Sequence, residues 1–151
     1  MDEGTSEAVP RFFTVEEAEA LLPALNVLFG RVSAVRAELA PLVESFGARE
    51  AVELLRELAP VPEGREGDVA RLRALAGEIT AAVQRLNELG CLVKDVEAGL
   101  VDFYALREDE PVFLCWQLGE PAVAHWHPLD AGFAARQPID GIEVAPPRFM
   151  N

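Results

Sequence analysis

The chain has 151 residues, half of them hydrophobic and about a quarter charged, which is the size and mix of one folded domain with a real core. Its formal net charge of −13 repels phosphate backbones and anionic headgroups, so nucleic-acid and membrane-surface partners are set aside. The longest apolar stretch, Ala20 to Gly30, is interrupted by Pro23 and Asn26 and falls far short of the roughly twenty residues of a membrane span. The opening Met-Asp-Glu-Gly-Thr-Ser-Glu has no basic region ahead of an apolar one. No secretory signal is read, and a cytoplasmic location with Cys91 and Cys115 as free thiols is expected.

Residues 1–11 are polar and unpatterned and read as a flexible tail; 12–90 read as helical. Thr14 with Glu17 three residues on forms a capping-box signature, and Glu16 and Glu19 suit the positive end of the helix dipole. Ala18, Leu21, Leu25, Leu28, Val32, Val35, Leu39 and Leu42 follow at alternating three- and four-residue spacing, a seam for a second helix. Pro23 lies within this run and predicts a kink or a restart. Phe46-Gly47 breaks the pattern. A short helix is predicted over Ala48–Ala59 with Val52, Leu55 and Leu58 on one face, then a Pro/Gly loop from Pro60 to Gly67. Asp68 is read as the cap of the next helix, whose seam is Leu72, Leu75, Ile79, Ala82, Leu86 and Leu89, with Gly90 as its left-handed stop.

After Gly90 the period switches to two. Strands are predicted at about 91–94, 100–106, 112–118 and 122–128, joined by connections too short for anything but antiparallel neighbours. Residues 129–151, rich in Gly and Pro, read as an irregular tail. The expected fold is therefore α+β, a single domain over 1–151. A long antiparallel helical hairpin with a short intervening helix precedes a three- or four-stranded antiparallel β-meander over 91–128.

Alternation assigns the faces. Val101, Phe103, Ala105, Leu114, Trp116 and Trp126 share one, expected to pack on the helices. The other carries Asp102, Tyr104, Phe113, Cys115, His125 and His127. Aligning the apolar positions sets Cys115 opposite both His125 and Asp102. His-x-His on a strand puts two imidazoles on one face, and thiolate, imidazole and carboxylate all ligate zinc or iron. On the metal reading His125, His127, Cys115 and Asp102 are the ligands, on an open sheet face, and metal-assisted hydrolysis is the chemistry. The plainer reading needs no metal or cofactor, with Cys115 as a small core residue. Lys94, Asp95, Trp126, Asp130, Arg136 and Gln137 join them as polar or aromatic groups in or beside the sheet. They suit a small-ligand pocket, or a set of bonds ordering the tail in which His127 and Arg136 reach Asp130 and Asp102.

Several segments carry a resemblance. Arg11-Phe-Phe-Thr-Val-Glu-Glu-Ala18, Leu21-Leu-Pro-Ala-Leu25, Val93-Lys-Asp95, Gly99-Leu-Val-Asp-Phe103, Cys115-Trp116, Gly119-Glu120, Trp126-His127, Gly132-Phe133 and Arg136-Gln137 together resemble the prokaryotic family named domain of unknown function 2203. The resemblance spans nearly the whole chain and implies a small bacterial protein without an assigned activity. Two positions depart from the family pattern: His125 stands where an aromatic is more usual, and Tyr104 where proline is.

Two function classes follow. One is an interaction or oligomerisation module without catalytic activity, a homodimer or a binder of another protein. The other is a metal-binding protein or metal-dependent hydrolase. Either site belongs where the meander meets the tail, around Asp102, Trp126, His127, Asp130 and Arg136, because the helical residues all have structural tasks.

Overall fold

The computed structural model describes residues 11–139, so all but the last residue of the tail predicted over 1–11, and the last twelve residues, lie outside what is described. The elements are α1 (Val15–Ala20), α2 (Leu22–Phe46), α3 (Ala48–Leu55), α4 (Glu66–Glu88), β1 (Leu92–Asp95), β2 (Leu100–Arg107), β3 (Glu110–Gln117), β4 (His125–Pro128) and β5 (Gln137–Pro138), with a single 3-10 turn at Phe133–Ala135 before β5. The fold is α+β as predicted. The sheet has five strands in the order β1-β2-β3-β4-β5, all pairs antiparallel. The fifth strand corrects the reading of the tail as wholly irregular. It is two residues long and shows no alternation, so only its pairing with β4 reveals it.

The described residues divide into two compact units, one of residues 27–85 and one of 11–26 with 86–139. In the helical unit the packing of α2 and α4 is read from two ion pairs. Arg31 meets Glu78 and Arg71 meets Glu38, each at 2.9 Å. Seven residues forward on α2 is seven back on α4, two turns each way, so the helices run antiparallel. Leu54 and Leu72 are fully buried here with Ala51 and Val69, and Leu39, Leu42, Val43, Phe46 and Ala59 pack around them. The face predicted for α3 is displaced by one residue: Ala51 and Leu54 point inward, and Val52, Leu55 and Leu58 are exposed. The Arg73 guanidinium donates to the Leu54 carbonyl and satisfies the end of α3. Asp68 is not the cap of α4. It lies in the first turn and accepts from Arg65.

In the sheet unit Thr14 and Glu17 form the expected reciprocal cap of α1. The predicted long first helix is interrupted at Leu21, and α2 starts with Pro23 in its first turn, where a missing N–H costs nothing. Phe13 anchors this segment to the sheet. Its N–H donates to the Tyr104 carbonyl, and its ring stands edge-on to Phe103 at 5.2 Å. The Glu19 carboxylate accepts from the Val123 N–H. Gly90 has φ +93 and ends α4 as predicted. Gly99, with φ +71, is required twice over, because a Cβ there would sit 2.5 Å from the Leu118 Cβ.

Candidate functional site

The register is the predicted one. Asp102 pairs with Cys115 across β2 and β3, Cys115 with His125 and Phe113 with His127 across β3 and β4. The face they share is not open. Asp102 and His127 are each 2% exposed and Cys115 is fully buried. An aromatic row runs along this face from Phe12 through Tyr104 and Phe113 to His127, with centroids 6.0, 4.7 and 5.4 Å apart. Ala131, Gly132 and Phe133 of the chain after β4 line the cavity that remains, about 140 Å³ in volume. Asp102, Cys115 and His127 also line it, beside Lys94 and Leu100.

Three adjacent strands therefore deliver three ligand-type groups to one buried point. Their nearest ligand atoms all lie within 4.8 Å of one another. His127 Nδ1 is 2.8 Å from the Pro128 carbonyl, which can only accept, so Nδ1 carries a proton and Nε2 is the atom turned to the cluster. Nε2 stands 3.1 and 3.0 Å from the two oxygens of Asp102. One proton shared between ring and carboxylate satisfies that contact. The Cys115 thiol lies beside the Asp102 carboxylate, within 4.8 Å. Burial pushes the thiol up to about 12; the Asp102 charge adds to the rise and the Arg136 charge opposes it. A neutral thiol here is a poor nucleophile. As a ligand it would have to be deprotonated by the ion it binds.

Lys94 reaches the same place by a fold irregularity. The β1–β2 register shifts between Val93 and Asp95, leaving Lys94 as the extra residue of a bulge. Its ammonium lies 4.0 Å from Asp102 Oδ2 and 4.9 Å above the Phe113 ring, with the side chain 44% exposed at the cavity mouth.

Arg136 holds the segment after β4 in position. One of its terminal nitrogens lies 2.8 and 2.7 Å from the two Glu120 oxygens and 2.8 Å from His125 Nδ1, and the guanidinium stacks 4.5 Å over Phe133. Glu120 is in turn fixed by the Gln117 N–H, and its carbonyl by the Trp116 indole. Since arginine only donates, His125 Nδ1 accepts and is unprotonated at that atom.

Of the residues singled out from sequence, Asp102, Cys115, His127 and Lys94 converge. His125 shares their face but is engaged by Arg136 instead of the cluster. Trp126 is on the opposite face, under the Arg107 guanidinium. Asp130 and Gln137 are exposed, and Asp95 makes a turn with the Ala98 N–H. The expected contact of His127 with Asp102 is present, while Arg136 ties the tail to Glu120 and not to Asp130 or Asp102. Glu120 and Phe133 were given no role from sequence. Glu120 follows Gly119 in a short connection, and nothing local pairs it with an arginine sixteen residues on.

No curated protein and no solved structure matches the chain. A family profile, described as "Uncharacterized conserved protein (DUF2203)", matches residues 11–139, the whole described part of the protein. With that match running from the residue before the Phe12–Phe13 pair to the end of the five-stranded sheet, the chain belongs to the DUF2203 family.

Proposed function

We propose that the protein binds a divalent transition metal of the zinc or iron class through Asp102, Cys115 and His127. The observation that carries this is the state of His127. Its Nδ1–H is fixed on a backbone carbonyl while Nε2 faces a carboxylate and a thiol, which is how metal-binding histidines are oriented by their outer partners. A tetrahedral zinc site spaces such ligand atoms by about 3.3–3.8 Å, so adjustments on the order of 1 Å convert this cluster into one. Three protein ligands leave one position for water or substrate, the arrangement of hydrolytic metal sites. The two free cysteines suit a reducing, cytoplasmic setting.

The test is elemental analysis of untagged protein together with melting curves in added zinc, manganese and iron(II). About one ion per chain, a rise in Tm with metal, and loss of both in His127→Gln are expected. Protein that takes up less than a tenth of an equivalent and melts at one temperature regardless of metal overturns the proposal, leaving Asp102–His127 as a structural pair.

A second reading, an interaction module forming a homodimer or binding another protein, is favoured by one observation in the helical unit. Val52, Leu55 and Leu58 leave an apolar strip on the surface, with Leu58 71% exposed. Light scattering at tens of micromolar tests it: a dimer that Leu58→Glu converts to a monomer supports it, and a monomer throughout counts against it.

A further inference from the structure

We infer that the cavity beside the cluster takes a small carboxylate monoanion, bound between the metal and Lys94. This rests on the metal reading above and names the ligand class of the same site. The charges set the sign. Asp102 and a metal-bound Cys115 thiolate cancel a divalent ion, and His127 is neutral when it ligates through Nε2. Among the described residues that line the cavity, Lys94 is then the remaining charge, 4.0 Å from Asp102, and it calls for one negative charge. The bulge that places Lys94 there interrupts the β1–β2 ladder locally, and such bulges re-aim a side chain.

The walls choose among anions. Leu100, Ala131 and Phe133 line the cavity away from the polar groups. Phosphate or sulfate, polar all round, would leave oxygens against these residues without partners. A carboxylate with a short apolar tail has the matching asymmetry: its oxygens meet the metal and the ammonium, and its methylenes meet the leucine and the phenyl ring. A volume of about 140 Å³ restricts that tail to a few carbons.

Cobalt(II)-loaded protein gives a direct readout, since the ion's visible absorption reports a change in its ligands. Butyrate is expected to alter the spectrum saturably, acetate to do so more weakly, and inorganic phosphate to leave it unchanged. Lys94→Met should weaken butyrate about tenfold without altering cobalt uptake, and Lys94→Arg should restore most of the loss. Cobalt bound with no saturable response to butyrate, phosphate acting as well as butyrate, or a Lys94→Met protein with unchanged butyrate affinity would each overturn the inference while leaving the metal site standing. Failure to bind cobalt at all overturns the metal reading and this inference with it.

Discussion

The two units handle charge in opposite ways. In the helical unit Arg31–Glu78 and Arg71–Glu38 link α2 and α4 at the surface, each partner at least 40% exposed, and the buried positions are apolar. In the sheet unit Asp102 and His127 are the buried charged-type side chains among the described residues, and they bond to each other. Exposed pairs are screened and individually weak. A buried pair costs several kcal/mol of desolvation per ion, and well-packed apolar residues often serve as well or better. The helical charges keep their hydration and cost little to hold, whereas net stability does not explain why the sheet retains Asp102 and His127. The metal ligation proposed above supplies a reason to keep both.

Breaking the pair tests this most severely. Asp102→Ala strands His127 in a buried site and is expected to destabilise by about 3–5 kcal/mol, read from urea unfolding. The double variant Asp102→Leu with His127→Phe should recover to within about 1 kcal/mol of the parent, or exceed it, while metal uptake stays lost. A double variant as unstable as Asp102→Ala would show that the pair is there for the fold. The matching perturbation of the helical unit is Leu72→Ala. It removes a fully buried side chain from the Leu54–Val69 cluster and is expected to cost about 3 kcal/mol through the cavity it leaves, with metal binding unchanged.

Gly99→Ala comes next, at about 2 kcal/mol. It forces a Cβ onto Leu118 and a left-handed backbone onto an L-residue. Thermal melts should show it, and the β1 bulge next to this turn makes Lys94 geometry sensitive to it. A neutral Gly99→Ala would mean the β1–β2 turn is free to rearrange.

The thiols supply a pH test. Burial raises Cys91 to about 11 and Cys115 to about 12, against an ordinary value of 9.0. In metal-free protein, above pH 9 the unfolded chain gives up protons that the folded chain keeps. The stabilisation present below 9 is then lost as pH rises toward 11 and 12. For both thiols together the fall is about 1–2 kcal/mol by pH 9.5. Denaturation curves from pH 8 to 10 check the slope, and Cys91→Ala should flatten part of it. Both thiols should also resist iodoacetamide at pH 8 in the folded protein. Smallest of all, Arg31→Gln should change stability by less than about 1 kcal/mol and lose even that in high salt.

The sequence by itself determined what is local or periodic. Thr14 and Glu17 fix the start of α1 because both partners of the cap lie within one turn. The seams on α2 and α4 pick out Leu25, Val32, Val35, Leu72, Leu75, Ala82 and Leu86 as buried because helical geometry repeats every 3.6 residues, though they leave out the buried Leu22 and Phe29. The switch to a period of two after Gly90 marks the sheet, and matching its apolar faces was enough to place Asp102 opposite Cys115. The helical face of α3 was misread because Ala51 and Leu54 compete with Val52, Leu55 and Leu58, and only the packing of Leu72 and Val69 decides between two apolar stripes. The site needed the tertiary structure for the same reason. Alternation brings Asp102, Cys115, His125 and His127 to one face equally, and Arg136 then removes His125 by engaging its Nδ1. A register slip of one residue turns Lys94 toward Asp102, and Glu120 finds Arg136 only because the connection before β4 and the segment after it return to the same end of the sheet. Periodicity records which face a residue occupies; long-range closure of the chain decides which side chains meet there.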